Sequence, residues 1–337
     1  MSADAGYKKF DEAKLIWDAY ARLGFSTNPK ELIEKVNQLK SGLPKEDEFT
    51  ALSIWMDKCT LIHKLEQKQY PNLSKREYQV PDLFACYKYN GEDVAVLIEV
   101  KSTKDRKLRF TNVDYNRRMK YSQLTGLPIL IAWYLKGFDL WCLFELAKMK
   151  KKVSAFHIDF ETAIKDDLMG ILINNIIFSI KEGTKFVWQI EITKGTEVRD
   201  RIDQTLKKFT GVVKNIEFIG ANGQKIPHDS PLSKLLFLIF LFVDNDVSIT
   251  EDGNYATQTF YTTEDQTIFG YQILGVASFG IEAIKNSQLN WLDVITNESF
   301  NIRYEDIINA VKDGVHKGIV KDVIRNLPKP IPQFLAR

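Results

Sequence analysis

The chain has 337 residues, of which 45% are hydrophobic and 27% charged, with a formal net charge of +2. That balance describes a folded globular chain with room for two ordinary domains or one large one, and it excludes a low-complexity or disordered polymer. The longest apolar run, Leu235 to Val243, is less than half a membrane span, and the polar stretch Met1 to Phe10 has no apolar signal core, so a cytoplasmic protein with no membrane partner is expected.

Residues 1–44 read as a helical N-terminal segment. Phe10, Ala13, Ile16, Trp17, Tyr20 and Leu23 form one stripe and Gly24 stops it; a second helix follows Asn28-Pro29 and closes at Ser41-Gly42. A third helix is expected from Lys45 to Gln67, with Phe49, Leu52, Trp55, Met56, Cys59, Ile62 and Leu65 on its buried side. The period then changes. Val80 to Tyr89 and Val94 to Val100 read as two strands around the Asn90-Gly91 turn, a strong hairpin signal. A basic loop follows, then a helix from Val113 to Thr125 capped by Gly126, a buried strand at Ile129 to Tyr134 and another strand at Phe138 to Leu146. A helix near Phe160 to Leu172 and a strand near Lys185 to Ile192 complete the first part.

The texture shifts near Gly195. Val198 to Phe209 reads as an amphipathic helix, Gly220 to Gly223 as a turn, and Ser230-Pro231 as the start of a helix from Leu232 to Val243. Val247 to Ala277 reads as strands, Tyr304 to Val323 as a helix and Pro328 to Pro332 as an extended tail. Three scattered cysteines, Cys59, Cys86 and Cys142, fit a reducing compartment, and no Cys/His spacing fits a structural zinc. His228, between Pro227 and Asp229 in a polar turn, has no catalytic partner in reach of the sequence and reads as structural.

Chemistry is concentrated in one segment. Asp82 follows Pro81 at the head of the hairpin, and Glu99-Val100-Lys101 closes it. Alternation along a strand sends Glu99 and Lys101 to one face and Val100 into the core. Two carboxylates and an ammonium therefore meet at one end of a sheet. Phosphodiester hydrolysis calls for such a set: a hard divalent cation held by carboxylates offsets the charge of the phosphate and lowers the pKa of a bound water, while a lysine steadies developing charge. Oxygen donors suit magnesium or manganese better than zinc. Between Lys101 and Lys120 lie eight basic residues, including Lys104, Arg106, Lys107, Arg109, Arg117, Arg118 and Lys120, opposed only by Asp105 and Asp114. They form a candidate phosphate-binding patch, the plainer reading being a solvated charged surface.

Pro81-Asp82 followed by Glu99-Val100-Lys101 resembles the signature of the PD-(D/E)XK nuclease superfamily, and the order helix, hairpin, helix, strand over residues 45–135 resembles its core. The resemblance implies an α/β, restriction-endonuclease-like fold: a mixed central sheet flanked by helices over residues 45–194, with the helical segment before it and an α+β region, 195–337, for DNA recognition or dimerisation. It implies a Mg2+-dependent DNA endonuclease, with Mn2+ able to substitute, of restriction or defence type. The alternatives are a repair or recombination nuclease on branched or single-stranded DNA, and a catalytically silent nucleic-acid-binding protein of the same fold. Asp82, Glu99 and the Val100 carbonyl would ligate the metal, Lys101 would assist, and a homodimer would act on duplex DNA. Members also carry an acid on the first core helix. Register against archaeal Holliday-junction resolvases puts Asp57 there, with Glu48 as the rival. A Gln-x-x-x-Tyr found in some relatives is missing, since Arg117 stands four residues before Tyr121 and the nearest glutamine is Gln123.

Overall fold

The computed structural model describes residues 45–198, 206–227, 230–240, 245–249, 254–274, 303–325, 328 and 330–336. The expected N-terminal helices of residues 1–44 and the turn at His228 and Asp229 lie outside them. The chain divides into two compact units: the first break falls between Asn174 and Asn175, and the C-terminal stretch from Leu327 belongs again to the first unit. The boundary expected at residue 195 falls inside a continuous strand that runs from Lys185 to Val198.

The first unit opens with helix α1, residues 45–55. The expected continuation to Gln67 does not form. Asp57 takes a left-handed conformation, φ 66, which ends the helix, and the chain re-enters as strand β1, Cys59–Lys64. Aspartate tolerates that conformation, and the β-branched Thr60 and Ile62 favour a strand. Strands β2 (Leu83–Tyr89) and β3 (Glu92–Thr103) form the expected hairpin. Asn90 and Gly91 both adopt positive φ, 51 and 88, as a two-residue primed turn demands. The basic segment is not a loop throughout: Lys107–Thr111 forms strand β4. Helix α2, Asn112–Thr125, follows; Thr111 caps its start by accepting the Asp114 N–H, and Gly126 ends it at φ 69.

Strands β5 (Ile129–Leu135) and β6 (Leu140–Glu145) complete a five-stranded sheet in the order β1-β2-β3-β5-β6. Only the β3–β5 pair is parallel, which is why a helix lies between those strands in sequence. Strands β7 (Lys150–Lys152) and β8 (Ala155–Asp159) join β4 in a small antiparallel sheet. Its inner residues Leu108, Phe110 and Ile158 pack with Ile131, Trp133 and Phe144 in one core, and Phe156 stacks on Tyr115 of α2 with ring centroids 3.5 Å apart. The helix expected at Phe160 to Leu172 is broken into one α turn, Phe160–Ala163, a 3-10 turn and a π turn, Met169–Ile173.

The second unit is mainly β. After β9 (Ile177–Ile180) come β10 (Lys185–Val198) and β11 (Leu206–Ile219), a long antiparallel pair. The helix expected over Val198 to Phe209 is contradicted: Leu206 to Phe209 belong to β11 and pair with β10. Strands β12 (Lys225–Ile226), β13 (Asn245–Ile249) and β14 (Tyr255–Tyr261) extend that sheet in the order β12-β11-β10-β14-β13. Helix α3, Pro231–Phe240, places Phe237 and Phe240 against Phe186 of β10. Strand β15 (Gln266–Phe269) pairs with β9 and leads into a helical turn over 270–274. Helix α4 spans Tyr304–His316, shorter than expected because Gly318, at φ 66, turns the chain into β16 (Val320–Ile324). No described helix is long and apolar enough to cross a membrane.

Candidate active site

The β2–β3 register sets the site. Leu83 pairs with Ile98, so Asp82, one step outward, lies across from Glu99. The contact is direct: the Val100 N–H donates to Asp82 Oδ2 at 2.8 Å, which fixes the carboxylate over the strand end. On the other side β3 runs parallel to β5, Glu99 beside Ile131 and Lys101 beside Trp133. Alternation holds as expected. Val100 is buried at 8% exposure, while Glu99 and Lys101 share the opposite face.

Glu99 is almost wholly enclosed, at 2% exposure. Its Oε1 accepts from Lys101 Nζ and from Arg118 Nη2, the latter at 2.5 Å. Its Oε2 is buried with no hydrogen-bond partner among the described residues. Lys101 Nζ also donates to the Val100 carbonyl at 3.1 Å, so the main-chain oxygen expected to face a metal is held by the ammonium here. Two of the three Lys101 N–H groups are thereby used and one is left for a bound oxygen. The Phe110 ring lies behind both cations, 6.0 Å from Lys101 Nζ and 4.9 Å from the Arg118 guanidinium.

The two carboxylates titrate in opposite directions. Burial first, then the Glu99 charge, push Asp82 up to about 7, with Glu46 adding to the rise and Lys101 and the Val100 N–H opposing it. Burial pushes Glu99 upward too, but Lys101 and Arg118 outweigh it and hold that carboxyl down to about 2. Asp82 keeps an edge at the mouth of the site although its carboxylate is surrounded by protein atoms. Two acids that meet at one end of a sheet and are pushed apart in this way mark a candidate functional site.

Neither of the two acids expected on the first helix lies where its charge is felt by Asp82. Asp57 is exposed in the turn beyond α1. Glu48 is engaged elsewhere, accepting from Trp141 Nε1 at 3.0 Å and from Lys45 Nζ at 2.5 Å. Glu46 is the acid whose charge reaches Asp82. Its stripe on the helix continues through Phe49, Thr50 and Ser53, all buried, and the Ser53 hydroxyl meets the Tyr87 hydroxyl at 3.2 Å, so this face lies on β2. Glu48, two residues on, is rotated about 200° away. The helical stripe in the sequence carries that register, whereas spacing to Asp82 points away from it.

The basic residues divide. Lys104, Arg106, Lys107, Arg109 and Lys120 are exposed. Lys107 and Arg109 project from the outer face of β4, and Arg106 lies over the Phe138 ring and 3.6 Å from Glu161. Arg117 is part-buried, its Nε donating to the Arg76 carbonyl at 3.0 Å. Arg118 departs most from expectation. It is buried at 8% exposure on the inner face of α2, three residues after Tyr115, and belongs to the acid cluster and not to an outer surface. Gln123 is exposed and takes no part.

Among the described residues no three His, Cys, Asp or Glu side chains converge as a closed metal cage. The donor set still fits a hard divalent cation. Magnesium is held by one or two carboxylates with water and substrate oxygens completing its shell, and the unpartnered Glu99 Oε2 beside Asp82 supplies that beginning.

Residues 72–176 match the family model of the archaeal Holliday junction resolvase (hjc). The match is confined to this part of the chain, and the superfamily it points to is the PD-(D/E)XK nucleases, the one the sequence motif resembles. The mixed sheet and flanking helices are the restriction-endonuclease-like core of that superfamily, and the enzyme class that goes with it is metal-dependent endonuclease. The matched stretch contains Asp82, Glu99, Lys101 and Arg118; Glu46 precedes it. Among solved structures, the chain is similar to Archaeoglobus fulgidus Hjc, a Holliday junction resolvase from an archaeal hyperthermophile. Identity is 17% over 36% of this chain and 87% of that one, with a TM-score of 0.28. No curated protein matches.

Proposed function

We propose that this protein is a divalent-metal-dependent endodeoxyribonuclease acting on branched DNA as a homodimer. The observation that carries the reading is the resolvase-family match over residues 72–176, lying around a complete Asp82, Glu99 and Lys101 set. On the sequence alone, branched DNA stands second to a restriction-type activity; the family match favours it. The completeness of the set also speaks against a silent binding protein. Two sites related by symmetry suit a substrate in which paired strands must be cut.

In this reading Asp82, the Glu99 Oε2 and the Val100 carbonyl would hold the metal, which we take to be Mg2+ with Mn2+ able to replace it. The ion supplies a counter-charge for the phosphate and a water of lowered pKa. Lys101 offers its remaining N–H to the attacking water or a phosphate oxygen. Glu46 lends negative charge beside Asp82. Lys104, Arg106, Lys107, Arg109 and Lys120 lie on exposed surface open to phosphates, with Arg117 at its margin.

The test is a set of three variants, Asp82→Ala, Glu99→Ala and Lys101→Ala, assayed for binding to a four-way junction and for cutting it. All three should bind, and each should cut at least roughly a hundredfold more slowly, the usual cost of losing one group that stabilises transition-state charge. Wild-type turnover in any of them, or full activity in EDTA, contradicts the assignment.

A further inference from the structure

The Arg118 guanidinium is held from several sides. Nη2 donates to Glu99 Oε1, Nη1 donates to the Asp114 carbonyl one turn back at 3.2 Å, and its centre lies 4.9 Å from the Phe110 ring. Its side chain is 9% exposed and that of Glu99 2%, so a planar cation is built into the wall of the site and is not a surface charge folded inward. Such a residue cannot shed its proton, and its fork geometry matches a carboxylate edge.

The two Glu99 oxygens are therefore unequal. Oε1 is committed to two protein cations, Lys101 and Arg118, while Oε2 has none. A carboxylate that bridged two metal ions with one oxygen on each would need both. Charge gives the same answer. Asp82, Glu99 and Glu46 bring three negative charges, and Lys101 and Arg118 two positive ones. Lys64 bridges Asp47, at 2.6 Å, and Glu46, at 3.7 Å, so that counting Asp47 and Lys64 as well leaves the balance unchanged. One divalent ion and one phosphodiester then bring the cluster to neutrality. A second divalent ion would leave two uncompensated positive charges in a largely enclosed site, which is costly.

We infer that Arg118 stands in for a second metal: it holds Glu99 by Oε1, presents Oε2 alone, and restricts the site to a single divalent cation. Arg118 is a positioning residue in this account, and its Nε–H, buried without an acceptor, is left to a phosphate oxygen. The inference rests on the metal-dependent reading above.

The experiment counts bound Mn2+ on the full-length chain by electron paramagnetic resonance and calorimetry, without DNA. Wild type should hold about one ion at the site, and Asp82→Ala none. Arg118→Gln, which removes the charge and keeps a polar head in the slot, should hold about two. Arg118→Lys should stay at about one, because the cation is kept. Two ions at the wild-type site, or one in Arg118→Gln when circular dichroism shows it folded, overturns the inference. If Arg118→Gln does not fold, the wild-type and Arg118→Lys counts still decide: about one in both supports it, and two in either overturns it. No bound ion in wild type would overturn the metal reading itself, a different failure from a count of two.

Discussion

At the residue scale the clearest contrast is between Glu46 and Glu48, two acids on one helical turn with different surroundings. Glu46 acts on Asp82, whereas Glu48 is tied to Trp141 and Lys45. Glu46→Gln should slow junction cleavage on the order of tenfold to a hundredfold with little change in melting. Glu48→Gln should cost about 0.5–2 kcal/mol of stability through the weakened hydrogen bond to Trp141, with the folded enzyme keeping its rate. Asp57→Ala should leave cleavage unchanged. Single-turnover rates beside thermal melts separate the three, and an inactive but stable Glu48→Gln would reverse the ranking. Asp82 makes a second prediction at this scale. Its carboxyl is raised from an ordinary 3.8 to about 7, so the folded chain holds that proton more tightly than the unfolded one. The stabilisation is fully present below about 3.8 and disappears as pH rises through about 7. In EDTA, Asp82→Asn should therefore be the more stable protein at pH 8, by on the order of 2 kcal/mol, with the gap closing as pH falls below 7. Glu99, held at about 2, runs the other way: its contribution is present above about 4.5 and disappears as pH falls toward 2. An Asp82→Asn chain that melts below wild type at pH 8 would count against the crowding of carboxylates.

At the element scale, the parts legible in the sequence are those fixed by local chemistry. Asn90-Gly91 names its turn, Gly126 its cap, and the alternation through Glu99, Val100 and Lys101 places two charges on one face without reference to any fold. The departures come where two periods coincide or distant pairing decides. Cys59 and Ile62 continue a helical stripe and also suit the edge strand β1, and the partner that selects the strand is β2. Val198, Ile202, Leu206 and Phe209 repeat at helical spacing, yet Leu206 to Phe209 pair along β10. Arg118 reads as outward because it stands among Arg117 and Lys120; its place three residues after the buried Tyr115 is the signal that points inward. Strand β4 carries a consequence for binding. It sends Leu108 and Phe110 inward and Lys107 and Arg109 outward, so those two cations are displayed on a rigid strand. Lys107→Ala with Arg109→Ala should flatten the dependence of log affinity on log salt by about 0.9 for each phosphate that is no longer neutralised. An unchanged slope would mean that the two are merely solvated.

At the scale of the whole molecule, the five-stranded sheet with the candidate site lies in the first unit, and a second unit with its own sheets and aromatic core begins at Asn175. The sequence announces a change of texture but places it about twenty residues late, because β10 reads alike on either side of Gly195. What the second unit contributes belongs to the same proposal as the dimer: a chain whose mass in solution by light scattering is that of a monomer, with and without junction DNA, would remove the dimer and leave the site untouched. The Asp82, Glu99 and Lys101 end of the sheet is proposed to cut branched DNA with a divalent metal. The most direct test is one digestion, started with Mg2+, of an end-labelled four-way junction mixed with a linear duplex that repeats the sequence of one arm. The account predicts nicks near the branch point of the junction, none in the duplex and none in either with Glu99→Gln. Cutting of the linear duplex at a fixed sequence, with no preference for the junction, would contradict it.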